Sequence, residues 1–188
     1  MMRLEKDMIL YHGSFCVVET PSLERCAKFK DFGRGFYLTT SINQARSFSK
    51  ISASRARSKG FISANEMNAF VSCFKVSEVS DLNFFAFESA DVDWLHCIVA
   101  HRRNGFFAEI RKQMEMYDVV GGKIANDDTN TTITAYMGNV FGPMGGERAD
   151  SMCISLLLPE RLQDQFCFRS LKALSKLQFI KSESVSLR

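Results

Sequence analysis

The chain has no Cys-x-x-Cys pair, only three histidines and three prolines, and no apolar run near the length of a membrane span. Each shortage excludes something. Its six cysteines (Cys16, Cys26, Cys73, Cys97, Cys153 and Cys167) are scattered and do not read as a disulfide framework. The first residues, Met-Met-Arg-Leu-Glu-Lys-Asp, carry charge and lack the apolar core of a signal peptide. A cytoplasmic protein with reduced thiols is therefore expected, with no membrane contact. His96 and His101 lie five apart on a predicted helix, which turns them off a common face, and the usual ligand spacings are missing, so no metal is expected. The net charge of +3 is small and does not by itself call for a nucleic-acid partner.

What is present is an aromatic-rich chain: 17 phenylalanines in 188 residues, with hydrophobic residues at 46% and charged ones at 24%. Those proportions suit one soluble globular domain, placed at 1–182, with a frayed tail at 183–188. Met8 to His12 reads as a strand closed by Gly13-Ser14. Thr20-Pro21 suggests a short helical turn, and Arg25, Lys28 and Lys30 a basic exposed loop. Gly33-Arg34-Gly35 feeds a strand from Phe36 to Thr39. Ser41-Ile-Asn-Gln44 has the form of a capping box, so a helix begins near Ile42 and stops at Gly60. Ile42, Ala45 and Phe48 form its inner face, and five cations from Arg46 to Lys59 its solvated outer one.

Further strands are expected over Asn68 to Val79, over Tyr117 to Ile124 with a bulge at Gly121-Gly122, and at Gln165 to Phe168 and Gln178 to Lys181. Phe84 to Phe87 fits either a strand or a buried loop. Asp91 to Arg103 is the clearest helix, with Trp94, Leu95, Ile98 and Val99 as its core stripe and charges that suit its dipole. Asn126 to Thr132 reads as a polar loop whose adjacent Asp127 and Asp128 are solvated. A helix over Ala149 to Leu158 is closed by Pro159, and Ser170 caps a short helix. Short strands with helices between them indicate an α+β fold.

Tyr11-His12-Gly13-Ser14, then Gly33-Arg-Gly-Phe-Tyr37-Leu-Thr, then Phe48 eleven residues after Tyr37, form a constellation. It resembles the NAD pocket of ADP-ribosyltransferases of the His-Tyr-Glu branch, which includes poly-ADP-ribose polymerases and diphtheria toxin. The polymerases carry Tyr-His-Gly-Ser/Thr, then Gly-Lys-Gly-Ile-Tyr-Phe-Ala, and a second aromatic at the same spacing. The whole chain looks closer still to an uncharacterised bacterial family of that superfamily, in which a Gln-x-x-Phe strand follows a Pro-Glu segment. Gln165-Phe-Cys-Phe168 after Pro159-Glu160 fits that place, with Gln163 a near neighbour.

The resemblance implies split antiparallel sheets flanked by helices, with NAD as co-substrate and no metal. It implies that His12 bonds a ribose hydroxyl, that the Gly13 backbone holds the nicotinamide amide, and that Tyr37 and Phe48 sandwich the ring. Gln165 would take the place of the signature's glutamate. Ser14, Gly33, Arg34, Gly35 and Phe36 complete the expected pocket. The activity implied is single-unit ADP-ribose transfer to a macromolecular acceptor, protein rather than nucleic acid. The implied setting is a bacterial toxin or defence effector with an antitoxin or inhibitor as partner. Two departures favour the alternative, a degenerate fold that binds a nucleotide or protein without catalysis. Gln165 is neutral where the signature has a carboxylate, and Ala45 stands where the polymerases place a serine.

Overall fold

The computed structural model of the chain describes residues 2–124, 127–157 and 162–188, with backbone alone at 127 and 128. In order come β1 (Ile9–Ser14), a 3-10 turn (Leu23–Arg25), β2 (Phe36–Leu38), α1 (Ile42–Ser58), β3 (Asn68–Val76) and β4 (Phe84–Ala86). Then follow α2 (Val92–Arg102), α3 (Ala108–Met114), β5 (Val119–Lys123), α4 (Asp127–Met137), α5 (Glu147–Leu157), β6 (Asp164–Phe168), α6 (Leu171–Leu174) and β7 (Leu177–Ser186). Among the described residues the strands make two sheets, β1-β3-β7 and β2-β6-β5-β4. The fold is α+β, as its alternation of short strands and helices predicts. The first sheet is antiparallel; the second is mixed, because β4 and β5 run parallel. A parallel pair needs a long crossover, and α2 and α3 supply it.

The sheets meet through Tyr11 and Thr39, which exchange both backbone hydrogen bonds at 2.8 and 3.0 Å. Beyond that bridge β1 and β2 part. A phenylalanine-rich core fills the space between the sheets: Leu10 and Phe74 from one, Phe36, Leu38, Phe166 and Phe168 from the other. Each such side chain contributes about 1.5–3 kcal/mol on burial. A second core lies where α2, α4 and α5 cover the β2-β6-β5-β4 sheet, around Trp94, Ile98, Ile133, Tyr136 and Cys153. A third, built from Ala45, Ala53, Ala69 and Val71, seats α1 on the other sheet.

Several expectations are corrected. Residues 183–186, expected to fray, continue β7; Val185 pairs with Ala69 and is buried. The expected polar loop at 126–132 is largely α4. Its sequence is poor in helix formers, and the helix rests on Ile133 and Tyr136, both fully buried. The side chains of Asp127 and Asp128, and Pro159-Glu160, lie outside the described residues. The strand β5 keeps one register across Gly121-Gly122, with no bulge. Glycine is needed at 122 because a Cβ there would sit 2.7 Å from the Phe32 ring. The bulge lies instead in β3, between Cys73 and Phe74. Phe84 to Ala86 is a strand, and α3 is an element that the sequence pattern does not announce.

Candidate functional site

The candidate site is the split between β1 and β2. Tyr11 turns its N–H and C=O to β2, and in an antiparallel ladder the residue two further on turns its own the same way. Gly13 therefore presents its N–H and C=O to the split, where no strand answers them. Its face toward α1 is crowded: a Cβ at Gly13 would lie 2.0 Å from the Ala45 carbonyl oxygen and 2.8 Å from the Ser49 nitrogen. The packing of α1 onto β1 thus demands glycine here.

His12 bridges the split. Its Nδ1 lies 2.8 Å from the Tyr37 carbonyl, so Nδ1–H donates and the Nε2 lone pair is left as an acceptor. Its ring packs against Phe36 at a tilt of 35°, with centroids 4.3 Å apart. Burial pushes the imidazole pKa down to about 4, so the ring is neutral at pH 7. Phe36 is itself buried, edge-on to Phe74, and belongs to the core. Ser14 is buried, with its hydroxyl 3.9 Å from the Cys16 sulfur.

Tyr37 closes the glycine loop on itself. Its hydroxyl donates to the Gly33 carbonyl at 2.8 Å and accepts from the Phe32 N–H at 2.9 Å. Burial holds the phenol pKa well above its ordinary value. Gly33 has φ +82°, and Gly35 lies so close to β6 that a Cβ would meet the Cys167 sulfur at 2.4 Å. Ser41 caps α1, accepting from the Gln44 N–H at 3.3 Å. The other half of the expected capping box does not form: the Gln44 side chain accepts from the Thr39 hydroxyl at 2.7 Å. On α1, Phe48 is 42% exposed, with the Lys30 ammonium 5.8 Å above its ring. No ring pairing joins Phe48 to Tyr37 among the described residues.

Gln165 sits on β6 opposite Gly122, on the same sheet face as Cys167 and Tyr37. Its amide nitrogen donates to Asp31 Oδ2 at 2.9 Å and to the Lys123 carbonyl at 3.2 Å. The neighbouring Gln163 is exposed and precedes the strand. Asp31 is buried between Gln165 and Arg102, whose Nη2 and Nε reach Oδ1 at 2.5 and 3.1 Å. Arg102 also donates to Asn130 Oδ1 at 2.8 Å. Sequence reasoning assigned no role to Asp31 and read Arg102 only as a dipole partner. The available signal was one carboxylate directly preceding the glycine loop in a basic stretch.

An open cleft of about 510 Å³ lies on the far side of that loop, lined by Gly33, Arg34 and His101 among others. Of the expected site residues, only Gly33 and Arg34 line it. No described helix is long and apolar enough to cross a membrane. No curated protein matches the chain. Residues 8–179, nearly the full length, match one family model, in keeping with the expected place in an uncharacterised family. The chain belongs to the family described as "Protein of unknown function (DUF3990)".

Proposed function

We propose that this chain is an NAD-dependent mono-ADP-ribosyltransferase that moves ADP-ribose to a macromolecular acceptor and releases nicotinamide. The observation that carries the reading is the free backbone edge of Gly13 in the β1–β2 split, next to a neutral His12 whose Nε2 is left as an acceptor. A primary amide offers one donor and one acceptor side by side, the complement of a single unpaired strand residue. Nicotinamide carries such an amide on a flat ring, and Tyr37 and Phe48 supply the aromatic faces for it. An aromatic face over a cationic ring adds about 0.5–2 kcal/mol.

The chemistry fits these residue types. As the glycosidic bond breaks, its electron pair goes to the pyridinium nitrogen, which leaves neutral and needs no general acid. The ribose becomes oxocarbenium-like, as in glycoside hydrolysis, and the acceptor's nucleophile adds at the same carbon with loss of its proton. His12 Nε2 holds a ribose hydroxyl. Gln165 spends its NH2 on Asp31 and Lys123, which leaves Oε1 to accept from the nicotinamide ribose. Asp31 and Arg102 act through Gln165, as positioning residues. The toxin or defence setting, and an inhibitor as partner, rest on the resemblance alone.

The test is nicotinamide release from NAD by the full chain with candidate acceptors present. Wild type is expected to release it, and His12→Ala and Phe48→Ala to do so at least about tenfold more slowly, the loss of one hydrogen bond or ring contact near the transition state. The absence of both nicotinamide release and NAD-dependent thermal stabilisation in wild type would overturn the reading. One observation favours a second reading, a nucleotide-binding module without chemistry: the amide at 165 brings no charge to the sugar. In that case NAD raises the melting temperature and no nicotinamide appears.

A further inference from the structure

The cleft beyond the glycine loop is built from the ends of three strands of one sheet. Arg34 precedes β2, Asp118 precedes β5, and Arg169 and Ser170 follow β6. Gln165 stands at the other end of β6, four residues or about 13 Å away at the rise of an extended strand. The cleft is therefore distinct from the end of the sheet that holds Gln165.

Its charge is unbalanced. Lys28, Arg34, Arg111 and Arg169 line it against Glu115 and Asp118. Asp118 is already spent, accepting from the Asn83 N–H at 3.0 Å and the Ser170 hydroxyl at 2.5 Å. Arg169 donates to the Met114 carbonyl and Arg111 to Asn104 Oδ1 at 2.9 Å. Lys28 and Arg34 have no hydrogen bond or salt bridge among the described residues. At the floor lies His101, only 5% exposed. Its Nδ1–H donates back to the Cys97 carbonyl at 2.9 Å, so Nε2 carries a lone pair and points away from α2. That nitrogen is buried with no partner. Gly33 lies against this edge of the ring, and a Cβ there would be 2.6 Å from Cδ2 and 3.3 Å from Nε2. The missing side chain lets the glycine loop pack against the imidazole edge where His101 borders the cleft. Phe29, 59% exposed, and Tyr117 give the walls flat aromatic surface.

We propose that this cleft binds a phosphorylated nucleoside, free or as the 5′ end of a nucleic acid. Guanidinium and ammonium groups take the phosphate, and bidentate arginine geometry suits its oxygens. The base stacks on Phe29 or Tyr117, as bases do on aromatic platforms. His101 Nε2 accepts from a ribose hydroxyl or an exocyclic amine, which completes the one buried imidazole nitrogen left without a partner among the described residues. A cleft of about 510 Å³ falls in the range that holds ligands of this size. The nicotinamide reading is not needed for any of this and can fail without it.

Calorimetric titration of the full chain tests it with AMP, adenosine, inorganic phosphate and a 5′-phosphorylated single-stranded hexanucleotide. AMP is expected to bind, adenosine at least about tenfold more weakly, and the affinity for AMP to fall with salt. Lys28→Glu with Arg34→Glu should weaken AMP at least about tenfold without lowering the melting temperature, since both side chains are unpartnered. His101→Leu should weaken AMP about fivefold and leave inorganic phosphate within about twofold. In wild type, which needs no variant to fold, AMP should move the nitrogen-15 resonance of His101 Nε2. Hexanucleotide binding at least about tenfold tighter than AMP assigns the cleft to nucleic-acid ends, and equal or weaker binding to the free nucleotide. The proposal is overturned by no AMP binding at about 5 mM, by charge reversal without effect, by a silent His101 resonance, or by competitive displacement of AMP by NAD.

Discussion

At the scale of single residues, space and protonation dictate the split. Gly13 has nowhere to put a methyl group: the obstacle 2.0 Å away is helix backbone, which cannot swing aside. Gly13→Ala should cost about 3 kcal/mol, the upper end of overpacking, read as a loss of unfolding free energy in urea. Gly60→Ala meets nothing within 4 Å and should cost only about 1 kcal/mol, from its φ of +73°. His12 gives a pH signature. In the unfolded chain it takes a proton near pH 6.5, whereas in the fold it resists until about pH 4. Below 6.5 the unfolded state binds the extra proton, so stability falls as pH drops and the fall levels off below about 4. The full effect is roughly 3 kcal/mol. His12→Asn should flatten that part of the pH–stability curve. His101, shifted in the same direction by burial, supplies the slope that remains.

At the scale of elements, β7 is a working strand to its end. Removing residues 183–188 strips Val185 from the third core and breaks the Arg46–Glu183 ion pair, 2.6 Å long. The truncation should cost at least about 2 kcal/mol, most of it from Val185, since an exposed ion pair adds little. A chain truncated there that melts with the full-length protein would contradict this. The sequence hides such an element because Ser182 to Ser186 is polar at every position but Val185, on an edge strand, and polarity there looks like a tail. The converse holds for α2, where an apolar stripe and a capping Asp91 accepting from the Trp94 N–H at 3.0 Å make the element plain. The glycine loop was legible because glycine and tyrosine spacing is local. Asp31 was not, because its partners Arg102 and Gln165 stand 71 and 134 residues away. The α4 helix was illegible for a similar reason: its stability comes from burying Ile133 and Tyr136 against distant chain, not from its own composition.

At the scale of the whole molecule, Asp31 ties together the glycine loop, α2 through Arg102 and β6 through Gln165, with α4 joined by Asn130. Asp31→Asn leaves a largely buried guanidinium without its carboxylate and should cost about 3–5 kcal/mol. If Gln165 serves the sugar as proposed, Arg102→Lys should lower kcat for nicotinamide release more than it raises KM. The two sheets, by contrast, are joined edge to edge at one residue pair. A ladder that stops after Tyr11 and Thr39 leaves two amides on the same edge of one strand with different fates. In deuterium exchange the Tyr11 amide, bonded to Thr39 at 2.8 Å, should be slow, while that of Gly13, two residues on in the same strand, should exchange far faster. A ligand that completes the ladder would act as a missing strand residue, and its arrival would be read as protection spreading from Tyr11 to Gly13 with no change in the fold.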